Sequence, residues 1–141
     1  MSPLDRIVYL DHAGTTWLEP QALEAMMPYF TNRFGNPSSI HSIGQRARFA
    51  VDEARENIAA ILGCRMNEMV FTSGGTESDS TAIRGSVNAL QGSGNHIITS
   101  SIEHHAVLHS CQYLENMGFE VTYIQPDRYG IVNPDDVGRA I

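Results

Sequence analysis

The chain has 141 residues, a formal net charge of −7 at pH 7 and only two cysteines, so it is long enough for a domain with a hydrophobic core and too poor in cysteine for a disulfide scaffold. Its nine scattered arginines form no basic cluster, which makes nucleic acid an unexpected partner. No apolar run approaches the roughly 18 residues of a membrane helix, and the N-terminus is a poor secretory signal, so we expect a cytoplasmic protein and no membrane partner.

The predicted elements of the first part of the chain are mainly helical. The run IVYLD at residues 7–11 favours a short strand, and Pro20 is suited to the first turn of a helix. Apolar residues at spacings of three and four between Ile43 and Leu62 predict the strongest helix, with Gly63 as its C-terminal stop. We assign residues 1–62 to an N-terminal arm that includes this long helix.

Strands and helices alternate in residues 63–141. The pattern predicts strands at Met69–Thr72, His96–Thr99 and Val121–Ile124, with a helix between each pair and a last helix beginning near Pro134. Such alternation is typical of an α/β sheet with helical crossovers. The last helical pattern stops after about two turns, and we therefore expect the chain to be a portion of a longer protein.

The segment VFTSGGTES joins the first predicted strand to a helix through two glycines. The first N–H groups of a helix have no partner within the helix and favour an anion, and Gly75 would allow a phosphate to approach the backbone. The hydroxyl of Thr76 adds a further donor. A plain turn remains the alternative, because neither the Walker pattern nor the G-x-G-x-x-G fingerprint is present.

Four motifs together resemble the cysteine desulfurases, which are class V enzymes dependent on pyridoxal 5′-phosphate (PLP). The motifs, in chain order, are VYLDHAGTT, FGNPSSIH, VFTSGGTES and SIEHHAVL. The resemblance implies the aspartate-aminotransferase type of fold, a three-layer α/β/α large domain. Residues 63–141 would form its first, incomplete βαβαβ part, and the chain would be the N-terminal portion of such an enzyme.

The resemblance also implies roles for three residues. Gly75 and Thr76 would hold the cofactor phosphate, and His104 would stack on the pyridine ring and assist proton transfer. Where the commoner family pattern has Asn and Ala, this chain has His12 and Gly14, so the substrate side is less well defined than the phosphate side. For Asn36 and His41 we expect structural roles rather than roles next to the site.

The chain contains no lysine, and PLP chemistry of this type needs a lysine that holds the cofactor. We therefore expect the chain alone to be inactive and to bind PLP weakly or not at all. Cys64 and Cys111 lie in helical patterns with apolar neighbours, which predicts core thiols rather than the persulfide-forming cysteine. A metal site using His105 and His109 is disfavoured because a third ligand is missing from the motif.

The implied reaction converts L-cysteine to L-alanine and passes sulfur to an enzyme persulfide for iron–sulfur cluster or thio-cofactor assembly. The implied partners are a sulfur-acceptor or scaffold protein and a second copy in a homodimer. Two alternatives stay open. One is a fragment of a selenocysteine lyase or another class V aminotransferase, and the other is a non-catalytic interaction module that needs a second polypeptide.

Overall fold

The computed structural model describes residues 8–141, and the chain divides into two compact units, one ending at Met69 and the other spanning Val70–Ile141. Residue 7 of the predicted first strand lies outside the described residues, and residues 8–11 form no strand. In the first unit, helix α1 spans Pro20–Phe30 and helix α2 spans Ser42–Leu62, followed by a short 3-10 helix at Met66–Glu68. None of these helices, nor any other in residues 8–141, is long and apolar enough to cross a membrane.

The predicted boundaries of α2 are confirmed. Nδ1 of His41 accepts a hydrogen bond from the backbone N–H of Gly44 at 3.3 Å, which agrees with the structural role expected for this histidine. Gly63 adopts φ 69°, a left-handed conformation that side chains disfavour, and Cys64 N–H then bonds to the carbonyl of Ala59 at 3.0 Å. The glycine therefore ends the helix, because its left-handed backbone takes the chain out of the helical path.

The second unit contains three helices and a parallel pair of strands. Helix α3 spans Gly75–Ala89, strand β1 His96–Ser100, helix α4 His105–Asn116, strand β2 Glu120–Ile124 and helix α5 Pro134–Ala140. The register pairs His96 with Glu120 and Ser100 with Ile124, so α4 is the crossover between parallel neighbours. The two predicted strands in this region and the helices between them are confirmed.

The strand predicted at Met69–Thr72 is wrong. Met69 has an extended backbone, with φ −94° and ψ 128°, but β1 and β2 form the only strand pair among residues 8–141. An apolar, β-branched run favours extended backbone, yet a strand exists only where a neighbour satisfies its N–H and carbonyl groups. Val70, at 70% exposure, has no covering layer.

Few apolar side chains of the described chain are buried. The buried apolar residues of the second unit are Ala106, Cys111, Leu114 and Ile124, where α4 packs on β2 and on α3. By contrast, α1 carries apolar side chains at spacings of three and four, and these are exposed to solvent: Leu23, Met26, Met27 and Phe30. A periodic stripe identifies the face that a helix can bury, and here that face is left uncovered.

Candidate functional site

The glycine turn leads directly into α3. Gly74 is the N-cap residue, and no side chain caps the helix. The first helical hydrogen bond runs from Ser78 N–H to the carbonyl of Gly74 at 3.1 Å, so the N–H groups of the three residues from Gly75 to Glu77 have no acceptor within the helix. These groups and the positive end of the helix dipole point the same way.

The space beside the turn is open. A Cβ atom placed on Gly74 or Gly75 would meet nothing within 4 Å, and the side chain of Thr76 is exposed. A tetrahedral oxyanion can therefore reach the uncapped N–H groups and the Thr76 hydroxyl without displacing any described residue. The residues present fit a phosphate group.

Side-chain hydrogen bonds fix the turn from both sides. The carboxylate of Glu77 accepts from the N–H of Ser73 at 2.6 Å and from its hydroxyl at 2.7 Å. The hydroxyls of Thr72 and Ser78 share a hydrogen bond of 2.6 Å, and both contact the carbonyl of Gly74 at 3.2 Å. The bonds from Ser73 hold the pKa of Glu77 below its ordinary value.

His104 is the N-cap of α4, four residues beyond the end of β1. Its Nδ1 accepts a hydrogen bond from the N–H of Ala106 at 3.1 Å. The Nδ1 lone pair is therefore occupied, and in the neutral ring the proton lies on Nε2. The side chain is exposed, although the ring of His105 lies nearby with its centroid 6.2 Å away, so the imidazole of His104 is accessible to a bound molecule.

The helices α3 and α4 bring the turn and the histidine to the same end of the second unit. The hydroxyls of Ser80 and Ser110, each the sixth residue of its helix, lie 3.4 Å apart. About one turn further along, the guanidinium of Arg84 lies 4.4 Å from the ring centroid of Tyr113. Contacts that advance together along both helices mean that the helices run in parallel, so their N-terminal ends are neighbours.

Neighbouring helices pack with axes about 8–10 Å apart, which sets the scale of the site. The hydroxyl of Ser100 donates to Glu103 at 2.9 Å, and the hydroxyl of Ser101 donates to Gln125 at 2.9 Å, so polar side chains continue along the carboxyl ends of both strands. In open α/β sheets ligands bind at this edge.

Other candidate groups lie apart from this arrangement or have different surroundings. Cys111 is buried, as predicted, and burial raises the pKa of its thiol. Cys64 is only half-buried, in the first unit, with its sulfur 3.6 Å from the sulfur of Met69. The rings of His105 and His109 stack with centroids 5.5 Å apart, but among residues 8–141 no three His, Cys, Asp or Glu side chains are arranged to hold a metal ion.

The sequence alone did not identify the residues that shape the turn. Ser73 and Glu77 are four residues apart, whereas the familiar capping box joins residues three apart. A search for a serine or threonine followed four residues later by an acid, across a Gly-Gly pair, would have found this contact. The capping role of His104 gave no comparable signal, because histidine is not among the preferred N-cap residues.

Comparison with known proteins identifies the family. The family described as aminotransferase class-V matches residues 8–141. The cysteine desulfurase IscS of Dictyoglomus turgidum is 53% identical over 138 residues, which are 98% of this chain and 35% of that protein. The cysteine desulfurase IscS of Methanosarcina thermophila is 52% identical over 141 residues, which are 100% of this chain and 35% of that protein.

Solved structures agree with the sequence comparison. A NifS-like protein matches with a TM-score of 0.87 at 34% identity, covering 95% of this chain and 37% of its own. SspA in complex with cysteine matches with a TM-score of 0.85 at 41% identity, covering 94% of this chain and 38% of its own. The predicted α/β fold class and the resemblance to cysteine desulfurases are confirmed, over about a third of the length of the relatives. The chain belongs to the aminotransferase class-V family.

Proposed function

We propose that the chain supplies two parts of the site of a PLP-dependent cysteine desulfurase. One is a phosphate cup, formed by Gly75 and Thr76 at the start of α3, and the other is His104, which would face the cofactor ring. The observation that carries the proposal is the parallel packing of α3 on α4, which sets an uncapped, glycine-lined helix end beside an exposed histidine. Gly75 and Thr76 would hold the phosphate through N–H groups and a hydroxyl. The open space around both glycines supports this assignment.

When bound, PLP supplies the electron sink that lets bonds at the substrate carbon break. The chain's own contribution is to bind and orient. His104 would lie against the cofactor ring, with its orientation fixed by the hydrogen bond to Ala106 and its transferable proton on Nε2. Because Gly75, Thr76 and His104 are all exposed, the described residues do not themselves exclude water from the site.

For the whole enzyme we propose the reaction of L-cysteine with an enzyme thiol to give L-alanine and an enzyme persulfide. The carbon–sulfur bond of cysteine breaks and a sulfur–sulfur bond forms at the enzyme thiol. The substrate carbon is reduced and takes up the proton that a thiol loses, while the sulfur atoms are oxidised to the persulfide, which carries the transferred sulfur. The proposed partner is a sulfur-acceptor or scaffold protein of iron–sulfur or thio-cofactor assembly. The whole enzyme would be a homodimer with a cytoplasmic location. The similarity to cysteine desulfurases and to SspA in complex with cysteine supports it.

The second candidate is a non-catalytic module that completes its site with another polypeptide, which would supply the lysine that these 141 residues do not contain. Under both candidates we expect the 141-residue chain alone to be inactive, because it contains no lysine side chain to hold PLP covalently. Sulfide release from L-cysteine by the purified chain with PLP would contradict this expectation.

Equilibrium dialysis of the full chain against PLP and against pyridoxal tests the phosphate cup. We expect PLP to bind weakly, through its phosphate, but more tightly than pyridoxal, and we expect Thr76→Val to reduce that preference because it removes a hydroxyl at nearly constant volume. Thr81→Val is the matched control, since it makes the same change in the same helix away from its N-terminus. Equal binding of PLP and pyridoxal to the unmodified chain would overturn the proposed cup.

A further inference from the structure

The Glu77 side chain has an unusual position for an acidic residue in the first turn of a helix. In a capping box the acid at the third helical position accepts from the N–H of the N-cap residue. Glu77 is at that position in α3, yet it accepts from the N–H and the hydroxyl of Ser73, which precedes the N-cap residue Gly74. The usual reciprocal contact is thus displaced by one residue toward the N-terminus.

The contact with Glu77 determines whether the hydroxyl of Ser73 can cap the start of α3. Serine is a preferred capping residue because its oxygen can accept from the N–H groups of the first helical turn. Here the hydroxyl of Ser73 donates to the Glu77 carboxylate at 2.7 Å, and its own N–H is held by the same oxygen at 2.6 Å. The nearby hydroxyls of Thr72 and Ser78 are likewise turned toward each other and toward the carbonyl of Gly74.

We infer that Glu77 is a positioning residue that keeps the N–H groups at the start of α3 uncapped and so available to the phosphate of a bound cofactor. The inference rests on the proposed function and concerns the same site. On this inference the Glu77 carboxylate increases the affinity for phosphate, although its negative charge alone would decrease that affinity. Repulsion between the carboxylate and a phosphate would weaken phosphate binding, whereas the two hydrogen bonds from Ser73 to Glu77 strengthen it by holding Ser73 away from the N–H groups.

Two substitutions separate these effects in the full chain. Glu77→Ala removes both the charge and the acceptor, and Glu77→Gln removes the charge but keeps an acceptor oxygen. We expect Glu77→Ala to weaken binding of inorganic phosphate and of PLP about fivefold, and Glu77→Gln to restore it to within about twofold of the unmodified chain. Binding of pyridoxal, which has no phosphate, should not change.

Glu68→Ala is the matched control. The Glu68 carboxylate also accepts a backbone N–H, that of Arg65 at 2.8 Å, but it does so at the 3-10 helix of the first unit. Its loss should leave phosphate affinity unchanged. Amide hydrogen exchange supplies a readout without ligand, because Glu77→Ala should speed exchange at the N–H of Ser73 and Glu68→Ala should not.

The outcomes distinguish failure of the inference about Glu77 from failure of the proposed phosphate site. Tighter phosphate binding by both Glu77 variants would overturn the inference and leave the proposed cup standing, because the carboxylate would then act through charge alone. Failure of the unmodified chain to bind phosphate or PLP would overturn both. If circular dichroism shows that Glu77→Ala loses its helices, Glu77→Asp decides instead, because it keeps the charge while its shorter side chain cannot reach Ser73. Phosphate binding by Glu77→Asp as tight as in the unmodified chain refutes the positioning role.

Discussion

Replacing His104 with alanine separates the capping role of this side chain from its proposed role at the cofactor ring. The substitution removes one hydrogen bond, from the N–H of Ala106 to Nδ1 at 3.1 Å, and leaves that N–H without its partner. Loss of an N-cap acceptor costs about 1 kcal/mol. The ring is exposed, so we assign the whole cost to the cap. For a chain of this size the expected fall in melting temperature is about 4 °C.

His104→Asn is the discriminating variant, because asparagine is among the best N-cap residues but cannot stack as an imidazole does. Thermal unfolding followed by circular dichroism should show stability lost in His104→Ala and regained in His104→Asn, while PLP affinity stays reduced in both. His41→Ala and His41→Asn are matched controls, since Nδ1 of His41 caps α2 at 3.3 Å. A stability of His104→Ala equal to that of the unmodified chain, or no recovery in His104→Asn, would refute the capping argument.

Three further predictions concern a carboxylate, two thiols and two glycines. Hydrogen bonds from Ser73 lower the pKa of Glu77 from 4.5, so its contribution to stability is complete above that pH and is lost as the pH falls through the lower pKa of the folded state. The difference in stability between the unmodified chain and Glu77→Gln should therefore shrink in acid, and a difference that stays constant with pH would contradict this. Iodoacetamide should label Cys64 faster than the buried Cys111, whose thiol pKa is raised by burial, and equal rates would argue against the burial seen here. Chemical denaturation should show that Gly63→Ala destabilises the chain by about 1 kcal/mol, because Gly63 has a φ of 69°. Gly85→Ala should stabilise it by about 1 kcal/mol, because Gly85 lies inside α3 with open space around it, and a change of the same sign in both variants would refute the reasoning.

Helix positions followed from the sequence because their causes are local. The spacing of apolar residues and a glycine suited to left-handed backbone set the extent of α2, and a proline opens α1. The strand at residues 69–72 was predicted by the same kind of local pattern and is wrong, since strand formation depends on a neighbour. The extent to which apolar stripes are buried could not be predicted either, because burial depends on what packs against them.

The sequence by itself predicted that an anion could approach the start of α3, because two glycines leave space beside the first N–H groups of the helix. It also determined the family through four motifs in order. Only the tertiary structure decided that α3 and α4 run in parallel, so that the turn and His104 lie at the same end of the second unit. It also decided that Glu77 turns toward Ser73, because several acceptors and donors compete in that turn and only their three-dimensional arrangement selects the pair that forms.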